Sequence, residues 1–204
     1  EQLEKVFITL NSMKINLLDC TLRDGGYYNN WDFDLNLINA YLEAMASLQI
    51  DFVEIGFRSL KNDGFNGGAA YSTDSYLDKI EIPSELNDKI GVMVNGSEIA
   101  NPETQTSCLK KLFNPKSQSR VSLVRIACHL HEFKNCLPAS IWLKQKGYMV
   151  GFNLMQIADR SLEEITELAL AANDYPIDVL YFADSMGSLN FNQLKDIANA
   201  FKNG

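Results

Sequence analysis

Between Ile15 and Phe201, a short apolar run is followed by an amphipathic segment six times over. That alternation admits few folds, because strands joined through helices pair in parallel and need helices to cover the sheet. The runs read as strands are 15–20, Phe52–Phe57, Ile90–Val94, Val121–Ala127, Met149–Met155 and Val179–Ala183. They are mostly apolar, as expected of a parallel sheet covered on both faces. The helices fall at about 34–48, 73–80, 103–113, 138–146, 161–173 and 191–202. In the first, Leu35, Ile38, Leu42, Met45 and Leu48 recur at helical spacing. Asp32 or Asp34 suits its N-terminal cap. Pro138 and Gly147 sit where helix termini prefer them, and Ser161 with Glu164 has capping-box spacing.

Two architectures accommodate this order: an open doubly wound sheet and a (β/α)8 TIM barrel. Neither G-x-G-x-x-G nor G-x-x-x-x-G-K-[ST] follows the first strand, which removes the main support for a nucleotide-binding open sheet. Polar residues stand instead at several strand ends: Arg23 and Asp24, Arg58, Asn95, His129 and His131, Gln156, and Asp184 with Ser185. Functional groups drawn from many strand ends are the habit of the barrel, which needs eight units in about 250 residues. Six units in 204 residues therefore read as a partial TIM barrel over 15–204, behind an N-terminal extension at 1–14.

The net charge of −8 argues against a nucleic-acid partner, since no basic surface is available to neutralise phosphates. No apolar run approaches the ~18 residues of a membrane span, and 1–10 lacks the pattern of a signal peptide. A cytoplasmic location is the expectation. The four cysteines, Cys20, Cys108, Cys128 and Cys136, form no C-x-x-C pair, so a zinc ribbon or redox motif is not expected.

The chemistry concentrates in Asp19-Cys-Thr-Leu-Arg-Asp-Gly-Gly26. Arg23 and Asp24 follow the first strand directly, with Gly25 and Gly26 supplying the freedom for a sharp turn. A hard divalent metal seeks carboxylate oxygen, and a developing enolate needs a fixed cation. The octet offers both side by side. It resembles the D-x-T-L-R-D-G signature of the DRE-TIM metallolyase superfamily, the aldolases and lyases grouped with hydroxymethylglutaryl-CoA lyase. V-E-I-G at 53–56, V-R-I-A at 124–127 and A-D-S-M-G at 183–187 recur in the family's order, nearest to its 4-hydroxy-2-oxovalerate aldolase branch. The resemblance implies a (β/α)8 barrel and Mn²⁺ or Mg²⁺, with Asp24 as a metal ligand and Arg23 steadying the enolate. It also implies a small 2-oxo acid substrate, and it leaves open a homo-oligomer or a dehydrogenase partner.

Two departures stand beside the resemblance. The family's remaining protein ligands are an H-x-H pair on a seventh strand, and this sequence ends before one. Its aldolases also carry an acid–base His shortly after R-D-G, where this chain has Tyr27. A phenol, with an ordinary pKa near ~10, is a poor base at neutral pH. Tyr27, Tyr28, His129 or a water are the candidate proton acceptors.

His129 and His131 are two apart at the end of the fourth strand, where they would face the same way. An H-x-H pair so placed can bind one metal, but its position matches the family's V-R-I-A-x-H segment and suits a substrate contact better, with a solvated loop His as the plain alternative. Glu54, inside an apolar strand, needs a buried partner, for which Arg23 and Arg125 are the candidates. Asp184 and Ser185 are candidate substrate contacts at the end of the sixth strand, or the Asp caps its own loop. The expected activity is metal-dependent cleavage of a 4-hydroxy-2-oxo acid to pyruvate and an aldehyde. The rivals are a Claisen-type synthase using an acyl-CoA and a non-catalytic barrel serving as a binding domain.

Overall fold

The structure, a computed structural model, describes residues 15–48, 50–62, 64–184 and 186–204. The expected extension at 1–14, and Ser185, lie outside the described residues. Six strands form one sheet: β1 (Leu18–Asp19), β2 (Phe52–Phe57), β3 (Ile90–Asn95), β4 (Val121–Cys128), β5 (Met149–Met155) and β6 (Val179–Ala183). All neighbouring pairs are parallel, and their spatial order is their sequence order, β1-β2-β3-β4-β5-β6. A doubly wound sheet would reverse that order at a switch point. The unbroken order is that of a barrel wall, and the result is a curled half-barrel. Among the described residues, β1 and β6 are its two edges.

The helices are α1 (Thr21–Gly25), α2 (Leu35–Ser47), α3 (Asp74–Leu77), α4 (Gln105–Leu112), α5 (Leu130–Cys136), α6 (Pro138–Gln145), α7 (Leu162–Asn173) and α8 (Phe191–Asn203). Asp34 caps α2 by accepting the Asn36 N–H at 2.9 Å, and α2 turns Ile38 and Leu42 fully inward. Burial of side chains of this size contributes roughly 1.5–3 kcal/mol each. Ser161 and Glu164 cap α7 reciprocally, at 3.2 and 3.1 Å. The main core lies between the sheet and the helices, built on Val53, Ile55, Val92, Val94, Val124, Ile126, Val150, Phe152 and Leu154.

Four expectations are corrected. The first strand is the pair Leu18–Asp19, because at Thr21 the chain already winds into α1. Gly25 and Gly26 hold ordinary right-handed helical angles (φ −62° and −59°), so neither is needed for conformational freedom. Between 73 and 80 only Asp74–Leu77 is helical. A helix not expected from the sequence, α5, follows β4 at once, with Glu132 accepting the His129 N–H at 3.0 Å to fix its first turn. Among the described residues, no helix is long and apolar enough to cross a membrane.

Candidate active site

In a parallel sheet every strand delivers its following residues to the same rim. Cys20–Asp24 after β1, Asn95 closing β3, His129 after β4, Gln156 after β5 and Asp184 after β6 all reach the C-terminal rim of this half-barrel. That rim is where barrel enzymes place their chemistry.

A chain of charged and polar side chains crosses the concave face from β1 to β6. The Asp24 carboxylate pairs with Arg23. Arg23 Nε donates to Glu54 Oε1 at 2.8 Å, and Arg125 Nη1 donates to Glu54 Oε2 at 2.9 Å. Arg125 Nε in turn meets the Tyr181 hydroxyl, and its guanidinium lies 4.8 Å from the centre of the Tyr181 ring. Glu54 is 0% exposed and holds both cations, so both partners expected of it are present. An ionised carboxylate so deeply buried is tolerated only with such pairing. Burial alone would lower the Arg23 pKa, but Glu54, followed by Asp24, raises it above its ordinary value. Arg23 is thus a permanent, rigid cation at the mouth of the lumen.

Asp24 differs from its neighbour. Its side chain is 57% exposed, with one oxygen toward Arg23 and the other accepting the Cys20 thiol at 3.3 Å. The turn beneath it is set by Asp19, which accepts the Thr21 N–H at 2.9 Å and the Thr21 hydroxyl at 3.2 Å, and binds the Tyr41 hydroxyl. Burial pushes the Asp19 carboxyl up, and these hydrogen bonds, Tyr41 foremost, bring it below the usual carboxylate value.

Gly26 gains its explanation here, whereas a Cβ on Gly25 would meet only Phe33 Cζ at 3.9 Å. A Cβ on Gly26 would stand 1.9 Å from Cδ1 of Trp31. The indole lies across Gly26 and donates to the Arg23 carbonyl at 2.8 Å. Asn30 and Trp31 both hold φ of 56°, a left-handed strain that persists only where surroundings over-determine it. The next loop supplies that determination: the Gly67 N–H donates to the Asn30 carbonyl at 2.8 Å, and a Cβ on Gly67 would meet the Trp31 carbonyl at 2.3 Å. Trp31 then packs onto the lumen residues Phe57, Met93 and Ala127.

The other expected residues fall as follows. Tyr27 is on the rim, 64% exposed, its ring edge-on to Trp31 at 4.8 Å. β4 ends at Cys128, so His129 precedes α5 and His131 lies within it. The two therefore do not share a strand face, although their rings stack at 5.8 Å. Asp184 is turned to its own loop, accepting the Leu189 N–H at 2.8 Å and the Ser188 hydroxyl at 3.3 Å. The Leu189 N–H first, with Ser188, holds its carboxyl below the usual range. Arg58 does not belong to the site. It is buried toward the helices against Asp74, the Ser72 carbonyl and the Leu112 carbonyl.

Three residues of the concave face were not anticipated. Trp31 sits in a loop without periodicity, five residues beyond Gly26, and nothing in the sequence beside it marks it as packed. Tyr181 could have been found by alternation, since it falls opposite Leu180 and Phe182 in β6. Asn153 is the single polar residue within β5, in register with Ala127 and Tyr181. Its Oδ1 is buried without a hydrogen-bond partner, which marks a place for a ligand group or water.

Asp24 is suited to a hard divalent ion by charge and exposure. Among the described residues, however, no three His, Cys, Asp or Glu side chains converge as a metal-binding group. These residues alone do not build an Mn²⁺ or Mg²⁺ site.

Two cavities flank the charged chain. One, of about 240 Å³, opens at the rim beside Tyr27, Trp31 and Phe57. The other, of about 380 Å³, lies among Leu18, Phe52, Leu123, Met149 and Val179. The second is larger but lies toward the N-terminal ends of the strands and is largely apolar, with Arg125 and Tyr181 also in its wall.

No family model matches the sequence. Solved structures share its fold. The N-terminal domain of a candidate aldolase from Bacteroides vulgatus superposes with a TM-score of 0.59 at 23% identity, over 92% of this chain and 86% of that one. Hydroxymethylglutaryl-CoA lyase from Pseudomonas aeruginosa gives 0.64 at 10% identity, over 92% and 63%. The carboxyl transferase domain of Rhizobium etli pyruvate carboxylase gives 0.58 at 15%, over 94% and 34%. The chain thus spans less than two thirds of the last two proteins. At these identities the likeness is one of fold alone: six units of a (β/α)8 barrel.

Proposed function

We propose that this half-barrel carries the enolate-stabilising part of a carbon–carbon lyase that cleaves a 4-hydroxy-2-oxo acid to pyruvate and an aldehyde. The observation that carries the reading is Arg23. Its guanidinium is held by Glu54 at 2.8 Å beside an exposed carboxylate, at the rim where a barrel binds substrate. A cation fixed before reaction stabilises developing negative charge without reorganising. Arg23 would orient the 2-oxo acid and receive the enolate oxygen as the C3–C4 bond breaks. His129 or Tyr27, both on the rim, would accept the proton of the 4-hydroxyl. A divalent Mn²⁺ or Mg²⁺ ion would supply Lewis-acid charge stabilisation, with Asp24 as one ligand and the others from outside the described residues. Ser185, next in the chain after Asp184, would contact substrate, while Asp184 caps its own loop.

The test is pyruvate release from 4-hydroxy-2-oxopentanoate by the intact protein with Mn²⁺ added. Arg23→Ala and Asp24→Asn should each abolish it, Asp24→Asn with little loss of stability. Activity indifferent to a chelator would refute the metal role. A folded protein with no turnover under any metal would favour the non-catalytic barrel.

A further inference from the structure

Beside Arg23 the rim carries a pocket of which the proposed cleavage chemistry uses at most one wall, Tyr27. It has a volume of about 240 Å³ and opens between the loops that follow β1 and β2. Tyr27, Trp31 and Phe57 form one corner of it, edge-to-face in every pairing, with centroids 4.8, 6.3 and 5.4 Å apart and interplanar angles of 65°, 80° and 87°. Ser59, Asn66 and Asn95 line it with polar groups.

The corner is joined to the proposed reaction centre by two contacts. The Arg23 guanidinium carbon lies 5.9 Å from the Phe57 ring centre, and the Trp31 indole is bonded to the Arg23 carbonyl. The fold holds this corner against backbone strain at Asn30 and Trp31, and it leaves no room for a side chain on Gly26 beneath the indole.

We propose that this pocket binds the part of the substrate that leaves as the aldehyde, and that this part is a single aromatic ring bearing a polar substituent. The inference rests on the 2-oxo acid reading of Arg23 and Asp24. Mutually perpendicular rings offer an incoming ring both a face and an edge, the arrangement aromatic groups prefer. The side-chain amides of Asn66 and Asn95 supply hydrogen bonds to a ring substituent, whereas the Ser59 hydroxyl is already bonded to Glu98 and the Lys61 N–H. The volume sets the upper size. Pockets for drug-sized ligands run to roughly 300–1,000 Å³, so this one suits one ring and is too small for a nucleotide-bearing thioester. In the reaction, the 4-hydroxyl loses its proton and the C3–C4 bond breaks. Its electron pair passes into the pyruvate enolate, which is then protonated at C3. The ring departs as an aryl aldehyde.

The chain has two tryptophans, Trp31 and Trp142. In a Trp142→Phe protein, altered only on the outer helix α6, emission reports on the pocket alone. Two compounds are titrated: 4-hydroxy-2-oxo-4-phenylbutanoate and 4-hydroxy-2-oxopentanoate. The expected result is a change of Trp31 emission with the phenyl compound and at least tenfold tighter binding of it than of the methyl compound. Asn66→Phe, which fills the pocket from its loop, should remove the preference. Equal affinity for the two compounds, or no binding of either, overturns the subsite, and the unsubstituted pocket decides this even where Asn66→Phe fails to fold. Pyruvate release separates the two readings. Cleavage of the methyl compound without a phenyl preference sinks the subsite alone. Phenyl binding at Trp31 without cleavage of either compound sinks the lyase reading and with it the aldehyde role, leaving only a pocket that binds an aromatic ring.

Discussion

Toward the helices, the sheet presents Val53, Ile55, Val92, Val124, Ile126 and Phe152, all buried among other apolar side chains. Toward the lumen, the same strands present Glu54, Arg125, Asn153 and Tyr181. The helix side is held by burial, which is non-directional and tolerates exchange between side chains of similar volume. On the lumen side Glu54, Arg125 and Tyr181 are held by hydrogen bonds and charge, each dependent on a named partner, while Asn153 Oδ1 has none. Stability and chemistry are thus divided between the two faces of single strands, and one residue step along the chain moves from one regime to the other.

The sharpest way to break this division is Glu54→Ala. It strands Arg23 and Arg125, both largely buried, and removal of one member of a buried ion pair costs about 3–5 kcal/mol. Thermal unfolding should show that loss, and pyruvate release should fall to background. A mild effect on both would mean that the lumen charges do not depend on one another. Gly26→Ala comes next. The added methyl displaces the Trp31 ring, an overpacking cost of about 1–3 kcal/mol, and the penalty should vanish in a Trp31→Ala background. Ile126→Val tests the other face. It should cost about 0.5–1.5 kcal/mol and leave the proposed turnover intact.

The smallest effect is at Asp184. Its folded carboxyl lies below the ordinary 3.8. The order it gives its loop is therefore present above the unfolded value and lost as pH falls through the lowered one. Hydrogen exchange of the Leu189 amide should quicken in Asp184→Asn at neutral pH, and in the unsubstituted protein only in acid.

Most of the helix-side architecture was legible in the sequence, because it follows from period and composition. β5 and β6 run over the expected residues, and Asp34 and the Ser161–Glu164 pair cap the helices they were expected to cap. The lumen side was legible as residue types, not as contacts. Glu54 announced itself as a carboxylate inside an apolar strand, and its two arginines could be named in advance. The glycines at 25 and 26 were read as a turn, but sequence cannot tell a glycine needed for its angles from one needed, as Gly26 is, for its missing side chain. That distinction depends on Trp31, five residues beyond Gly26 and held in place by another loop. α5 was hidden because seven residues carry too little periodicity to separate a helix from a loop.

The strand that delivers Arg23 and Asp24 is also the shortest. β1 meets β2 at two register positions, Leu18 with Phe52 and Asp19 with Val53, whereas β4 and β5 match over six. Segments with few backbone bonds open at free energies well below global unfolding. The reactive end of the molecule should therefore come apart as a small cooperative unit, while the β3–β5 wall stays closed. Amides of Thr21–Asp24 would exchange with solvent sooner than those of β4, and a protease would find this segment first. A ligand gripping Arg23 then acts as a clasp on a loosely sewn hem: its binding slows exchange most where the fold itself holds least.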